Sequence, residues 1–211
     1  RLCTILVVNF KFSTNLRGES FQELFIVGHG VGAALLMATA RATLRAFVEC
    51  FDDLRMIFEK LNILLEADME AGRFMTLFYG VLNIETGRLR YVSAGHDAPI
   101  LLRLETDQTH DLESTALPLG MLPDVPFDEV GEEVLAPGDV VVLMTDGVWE
   151  AMDENLEPFG KERVIEIMKR SKGLSSGAIV DAIFDAVREF CRNAHQRDDV
   201  TLVCMKADSR A

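Results

Sequence analysis

The 211-residue sequence lacks most of what marks a membrane protein, a disulfide scaffold or a zinc centre. Its four cysteines, Cys3, Cys50, Cys191 and Cys204, are widely separated and lie in apolar surroundings. No pair has zinc-ligand or redox-motif spacing, so reduced core thiols of a cytoplasmic protein are expected. The four histidines are scattered as well. A zinc cluster is therefore disfavoured, and oxygen is the expected ligand of any metal. Long apolar runs are missing: the longest nearly uncharged stretch, residues 25–40, is too short and too rich in glycine to span a bilayer. Residues 1–8 carry no signal-peptide cleavage site, so a soluble protein without a membrane role is expected. Positive charge is scarce, with 21 Lys and Arg against 34 Asp and Glu and a formal net charge of −13. Such a surface repels phosphodiester backbones and argues against nucleic acid as a partner. No internal repeat, low-complexity tract or linker breaks the chain, so residues 1–211 are expected to form one domain.

What is present is an ordinary globular composition, 49% apolar and 26% charged, organised around residues 140–147. Val140-Val141-Val142-Leu143-Met144 is a continuous apolar run, the pattern of a strand buried on both faces. It ends at Thr145-Asp146-Gly147, which presents a carboxylate at the strand tip. A second acidic pair, Asp198-Asp199, precedes another apolar strand, residues 200–205. Alone, Asp146-Gly147 is a turn signal and Asp198-Asp199 a polar lead into a strand. Together they mark a candidate site for a hard divalent cation, magnesium or manganese.

In chain order, residues 5–12 read as a strand, and residues 21–27 as a second strand or a short helix. Gly28-His29-Gly30 leads into a long helix, 31–50, in which Gly32, Ala33, Ala34 and Ala38 permit close packing. Arg41 and Arg45 mark its polar side. Asp52-Asp53 can cap a second helix, with Ile57, Phe58, Leu61, Leu64 and Leu65 as its apolar stripe. The period then changes: residues 74–84 and 88–93 form strands joined across Glu85-Thr86-Gly87. Residues 99–104 are a third strand, 105–116 a polar loop, and 132–135 a further strand turned by Ala136-Pro137-Gly138-Asp139 into the central one. Two helices follow, 161–170 with Val164, Ile165 and Met168 on one face, and another capped by Ser175 or Ser176. The apolar stripe of the latter is Ile179, Val180, Ile183, Phe184, Val187 and Phe190. Hairpins interrupted by paired helices give an α+β class with antiparallel sheets and helices packed outside.

From Gly28 onward the chain resembles the bacterial sporulation-stage-II-E type of protein phosphatase, within the PP2C superfamily. The resemblance is carried in order by Gly28-His29-Gly30-Val31-Gly32, Thr76-Leu77-Phe78-Tyr79-Gly80, Tyr91-Val92-Ser93-Ala94-Gly95-His96, Pro118-Leu119-Gly120, Thr145-Asp146-Gly147 and Asp198-Asp199-Val200-Thr201-Leu202. It implies a β-sandwich of two antiparallel sheets flanked by helices on both outer faces. It also implies a serine/threonine phosphoprotein phosphatase in which two divalent cations, manganese or magnesium, bind the phosphate and activate a water. That chemistry suits a doubly anionic phosphomonoester, which repels hydroxide unless its charge is neutralised. The implied substrate is a phosphorylated regulatory protein such as an anti-sigma-factor antagonist.

Carried over by motif, Asp146 and Asp198 are the implied catalytic metal ligands and Asp199 their neighbour. Ile26 can offer its backbone carbonyl. His29 is read as part of the Gly-His-Gly turn rather than as a general acid, because the superfamily's catalytic histidine follows the acidic ligand pair. His96 is read as a loop or packing residue. Two family positions depart from the pattern. The family's bridging aspartate before Gly-His-Gly is matched by Phe25, and an upstream acidic ligand by Asn9. Glu23 lies on the same face as Phe25 if this segment is a strand, roughly 6–7 Å further back. Residues 1–27 are thus expected to be an atypical or incomplete start to the domain, and a second reading stands beside the enzyme: an impaired pseudophosphatase kept as a protein-binding module.

Overall fold

The computed structural model describes residues 19–26, 31–69, 73–192 and 200–207. Its elements in order are β1 (Glu19–Ile26), α1 (Val31–Cys50), α2 (Leu54–Asp68), β2 (Met75–Asn83), β3 (Arg88–Ala94), β4 (Ile100–Leu102) and β5 (Thr109–Asp111). They continue with β6 (Gly131–Val134), β7 (Val140–Met144), α3 (Asp146–Trp149), α4 (Lys161–Ser171), α5 (Ser176–Cys191) and β8 (Leu202–Lys206). These elements fall into two compact units, each with a four-stranded antiparallel sheet and its own helices. The class is α+β, as the pattern predicts.

One unit holds the sheet β1-β2-β3-β6 with α1 and α2. Of residues 21–27, read as a strand or a short helix, the described part is a strand: β1 is paired along its whole length from Glu19↔Leu82 to Ile26↔Met75, and Val27 lies outside the described residues. The predicted strand over 5–12 and the Gly28-His29-Gly30 element lie outside the described residues. The β2–β3 hairpin closes through Gly87 at φ 73°, a left-handed conformation that glycine adopts without steric cost. Asn83 accepts the Thr86 N–H at 2.9 Å on its side chain and the Gly87 N–H at 2.8 Å on its carbonyl.

Helix α2 begins at Asp53, whose carboxylate accepts the Arg55 N–H as an N-cap. It buries Leu54, Ile57, Phe58, Leu61 and Leu65 in one cluster with Met75, Leu77, Tyr79 and Val92 of the sheet. Phe58 sits at its centre, 5.7 Å from the Phe127 ring and 6.4 Å from Tyr79. Leu64, expected in the stripe, is exposed. It lies one residue beyond Ile63, another exposed position, and Asn62 takes the buried place instead. Asn62 donates to the carbonyls of Leu122 and Pro123 and accepts the Gly120 N–H, so a polar side chain is satisfied inside the core. In α1 the expected packing side is also corrected. Gly32, Ala34 and Ala38 are exposed, and Ala40 and Leu44 are buried in their place.

The other unit holds the sheet β5-β4-β7-β8 with α3, α4 and α5. Residues 105–116, expected to be a loop, contain the short strand β5, which pairs with β4 from Leu102↔Thr109 to Ile100↔Asp111. β7 is interior, between β4 and β8, and all five of its residues are buried. A continuous Val/Leu/Met run fits because both faces are covered. Val140, Val142 and Met144 cluster with Val164 and Met168 of α4 and with Ile179 and Ile183 of α5. Ser175 caps α5 by accepting the Ala178 N–H. Lys206 of β8 donates to the carbonyls of Lys172 and Leu174, tying the sheet to the α4–α5 connection.

The cysteines divide differently from the expectation of core thiols. Cys50 is exposed, Cys191 half-buried and Cys204 buried, and all three are free thiols; Cys3 lies outside the described residues. Burial pushes the Cys204 thiol from its ordinary value of 9.0 up to about 12, against a small opposing pull from Lys206. A thiolate is the reactive form, so maleimide at neutral pH should modify Cys50 first and Cys204 only on unfolding. Labelling of Cys204 at the rate of Cys50, read by mass spectrometry, would contradict this burial. The folded state holds the Cys204 proton more tightly than the unfolded chain. Its contribution to stability is therefore intact below about pH 9 and declines as pH rises towards 12.

Candidate metal-binding strand end

The last residue of β7, Met144, pairs with Leu202 of β8. One step further the two chains still hold each other, by different means. The Thr145 N–H donates to the Thr201 carbonyl at 3.1 Å, as in a ladder. The Thr145 carbonyl has left the sheet and accepts the Val148 N–H at 3.0 Å, opening helix α3. The Thr201 N–H is taken by the Thr145 hydroxyl, at 3.0 Å.

Asp146 is thus the first residue of a one-turn helix rather than part of a simple turn at the end of the strand. It is half-buried, and its Oδ1 accepts the N–H of Gly147 at 2.8 Å, which fixes the carboxylate's orientation. Its carbonyl accepts the Glu150 N–H at 2.8 Å and closes the turn. The neighbouring Asp153 is committed to the loop. Its carboxylate accepts the N–H groups of Glu157 and Asn155, and the Glu157 bond is the main reason it stays below the usual carboxylate range.

Of the residues expected to bind metal, Asp146 is described in full and Ile26 by its backbone, at the end of β1 opposite Met75. Phe25 pairs with Thr76 in the same ladder. Asp198, Asp199 and His29 lie outside the described residues, although Val200 and Thr201, which directly follow the acidic pair, are described. Among the described residues no group of three or more His, Cys, Asp or Glu is placed to hold a metal. The donor that is described, a carboxylate of fixed orientation, has the chemistry of a ligand for a hard divalent cation. His96 is 5% exposed, with Nδ1 3.5 Å from the Thr76 hydroxyl and its carbonyl near the Ser93 hydroxyl, as a packing residue would be. The sequence reading missed the part played by Thr145. Its signal was a hydroxyl residue where an apolar strand meets Asp-Gly.

Similarity to known proteins follows the same lines. RsbU of Bacillus subtilis strain 168, a phosphoserine phosphatase, is 28% identical over 183 residues, 86% of this chain and 53% of its own. The SiaA-PP2C domain of Pseudomonas aeruginosa superposes with a TM-score of 0.77 at 21% identity, over 92% of this chain and 78% of that one. RsbX, solved in complex with magnesium, has a TM-score of 0.58 at 15% identity, over 87% and 85%. At these identities the structures share the fold, which is PP2C-like. The chain spans between 21% and 53% of the length of the curated relatives it matches. No helix among the described residues is long and apolar enough to cross a membrane. The family model of stage II sporulation protein E matches residues 26–208, and the chain belongs to that family.

Proposed function

We propose that this chain is a divalent-metal-dependent phosphatase acting on phosphoserine or phosphothreonine in a cytoplasmic regulatory protein, of the kind represented by anti-sigma-factor antagonists. Asp146 and Asp198 are the proposed catalytic ligands, with Asp199 beside them and the Ile26 carbonyl as a further donor; manganese or magnesium is the proposed ion. The observation that supports this reading is the β7–β8 ladder, which continues past Met144↔Leu202 to Thr145 and Thr201. It holds the Asp146 strand end beside the chain that comes directly from Asp198-Asp199. When bound, such cations neutralise phosphate charge and lower the pKa of water towards neutrality. The chain's own part is to supply fixed anionic oxygens. Asp146 does so with Oδ1 held by the Gly147 N–H. The substrate class is supported by RsbU, itself a phosphoserine phosphatase.

Phe25 decides how strong the site is. Two cations about 3.5–4 Å apart repel each other and need shared anionic ligands. The family pattern expects one at this position. Wild-type protein should therefore bind one manganese ion in a calorimetric titration and hydrolyse a phosphoserine peptide slowly. Phe25→Asp should raise stoichiometry and manganese-dependent rate together. If neither protein binds manganese or releases phosphate, the enzyme reading fails and the protein-binding module takes its place. If wild type binds two ions and turns over rapidly, another carboxylate supplies the bridge.

A further inference from the structure

We propose that Thr145 is a positioning residue for the metal site, its hydroxyl serving as the backbone acceptor that β7 gives up when it turns into α3. The inference rests on the metal-site reading above and assigns a role to a residue that is not a ligand.

A strand cannot both continue a ladder and start a helix with the same carbonyl. At Thr145 the chain does both jobs with different atoms. The carbonyl accepts the Val148 N–H and so begins the turn that presents Asp146. The N–H still donates to the Thr201 carbonyl. The Thr201 N–H would lose its partner at this point, and a part-buried N–H without an acceptor is costly. The Thr145 Oγ1 accepts it at 3.0 Å.

The side chain is buried, 3% exposed, and although Thr145 occupies the N-cap position of α3 it makes no capping bond there. Threonine at an N-cap ordinarily turns its hydroxyl to the helix N–H groups; here it faces the neighbouring strand. The two-point clamp therefore joins the residue immediately before Asp146 to the residue two positions after Asp199. A ligand geometry must be held to within a fraction of an ångström to be productive, and this pair fastens the strand end that carries Asp146 to the described chain that directly follows Asp198-Asp199 in sequence.

Valine has the shape of threonine without the acceptor, and serine keeps the acceptor without the methyl group. In metal-free protein, the Thr201 amide of Thr145→Val should exchange with solvent at least about tenfold faster than in wild type, with Thr145→Ser close to wild type. Manganese affinity by calorimetry should fall about 10–100-fold in Thr145→Val, the range typical of groups that orient metal ligands, and return in Thr145→Ser. Equal manganese affinity of Thr145→Val and wild type overturns the proposal, and so does a Thr145→Ser variant as weak as Thr145→Val, which would mean that the methyl group matters instead. Wild type alone tests the bond: a Thr201 amide exchanging as freely as an exposed loop amide overturns the clamp even if Thr145→Val does not fold. If wild type binds no manganese while its Thr201 amide is protected, the metal-site reading has failed, and the positioning role falls with it.

Discussion

Asp146→Asn should abolish manganese-dependent phosphatase turnover while leaving the metal-free fold in place. Asparagine keeps an oxygen that can accept the Gly147 N–H, the hydrogen bond that orients this side chain among the described residues. The β7–α3 junction is held by the backbone and hydroxyl of Thr145, which the substitution does not touch. What is lost is a formal negative charge where a divalent cation is proposed to bind. Groups that only orient metal ligands typically contribute 10–100-fold to affinity or activity, so removal of a ligand should exceed about 100-fold in kcat/KM. The second readout is thermal. A ligand bound only by the folded state stabilises it, by about 2.7 kcal/mol at 100 times its Kd. Manganese should therefore raise the melting temperature of wild type but not of Asp146→Asn. A variant that keeps more than a tenth of the wild-type rate, or the full manganese-induced rise, would remove Asp146 from the site.

That residue was legible in the sequence because two independent patterns meet on it: a strand apolar throughout, and an Asp-Gly at its end. The elements with strong periodicity were legible for the same reason. The 20 residues of α1 and the capped start of α2 both follow from spacing and cap chemistry. Failures cluster where packing rather than pattern decides. Leu64 belongs by type to the α2 stripe but is exposed, and Asn62 is buried because the chain at Gly120–Pro123 supplies partners for its amide. No local signal announces a partner some sixty residues away. β5 was hidden because three polar residues, Thr109-His110-Asp111, become a strand by pairing with β4 at an edge. The Thr145 clamp was invisible for a related reason. A threonine at the end of a strand looks like an N-cap, and only the adjacent strand shows which N–H its hydroxyl accepts.

Asp139→Ala should be among the most destabilising single substitutions away from the apolar core. Asp139 is 2% exposed and lies in the turn that feeds β7, where the sequence shows only Ala-Pro-Gly-Asp. Its carboxylate accepts three hydrogen bonds. Arg103 Nη1 donates to Oδ2 at 2.8 Å, the Ala136 N–H to Oδ2 at 3.0 Å, and the Leu104 N–H to Oδ1 at 3.0 Å. The carboxylate thus fastens the end of β4 to the start of β7, two strands already paired at Leu102↔Val140. Removing one partner of a buried ion pair costs about 3–5 kcal/mol. The Arg103 side chain is 27% exposed and can recover part of its hydration, which favours the lower end of that range. The orphaned N–H groups add to the loss, because an unsatisfied buried donor costs about 1–3 kcal/mol. A net loss of about 4 kcal/mol follows, a fall in melting temperature of roughly 8–16 °C for a chain of this size. Asp139→Asn should lie between wild type and alanine, since its amide oxygen still accepts a backbone N–H while the ion pair is gone. Arg103→Met should cost less than Asp139→Ala, because it leaves both backbone bonds to the carboxylate in place. A chemical-denaturation loss below about 1 kcal/mol for Asp139→Ala would mean that the turn is held by its backbone alone, through the Asp139 N–H to the Ala136 carbonyl and the Ala207 N–H to the Asp139 carbonyl.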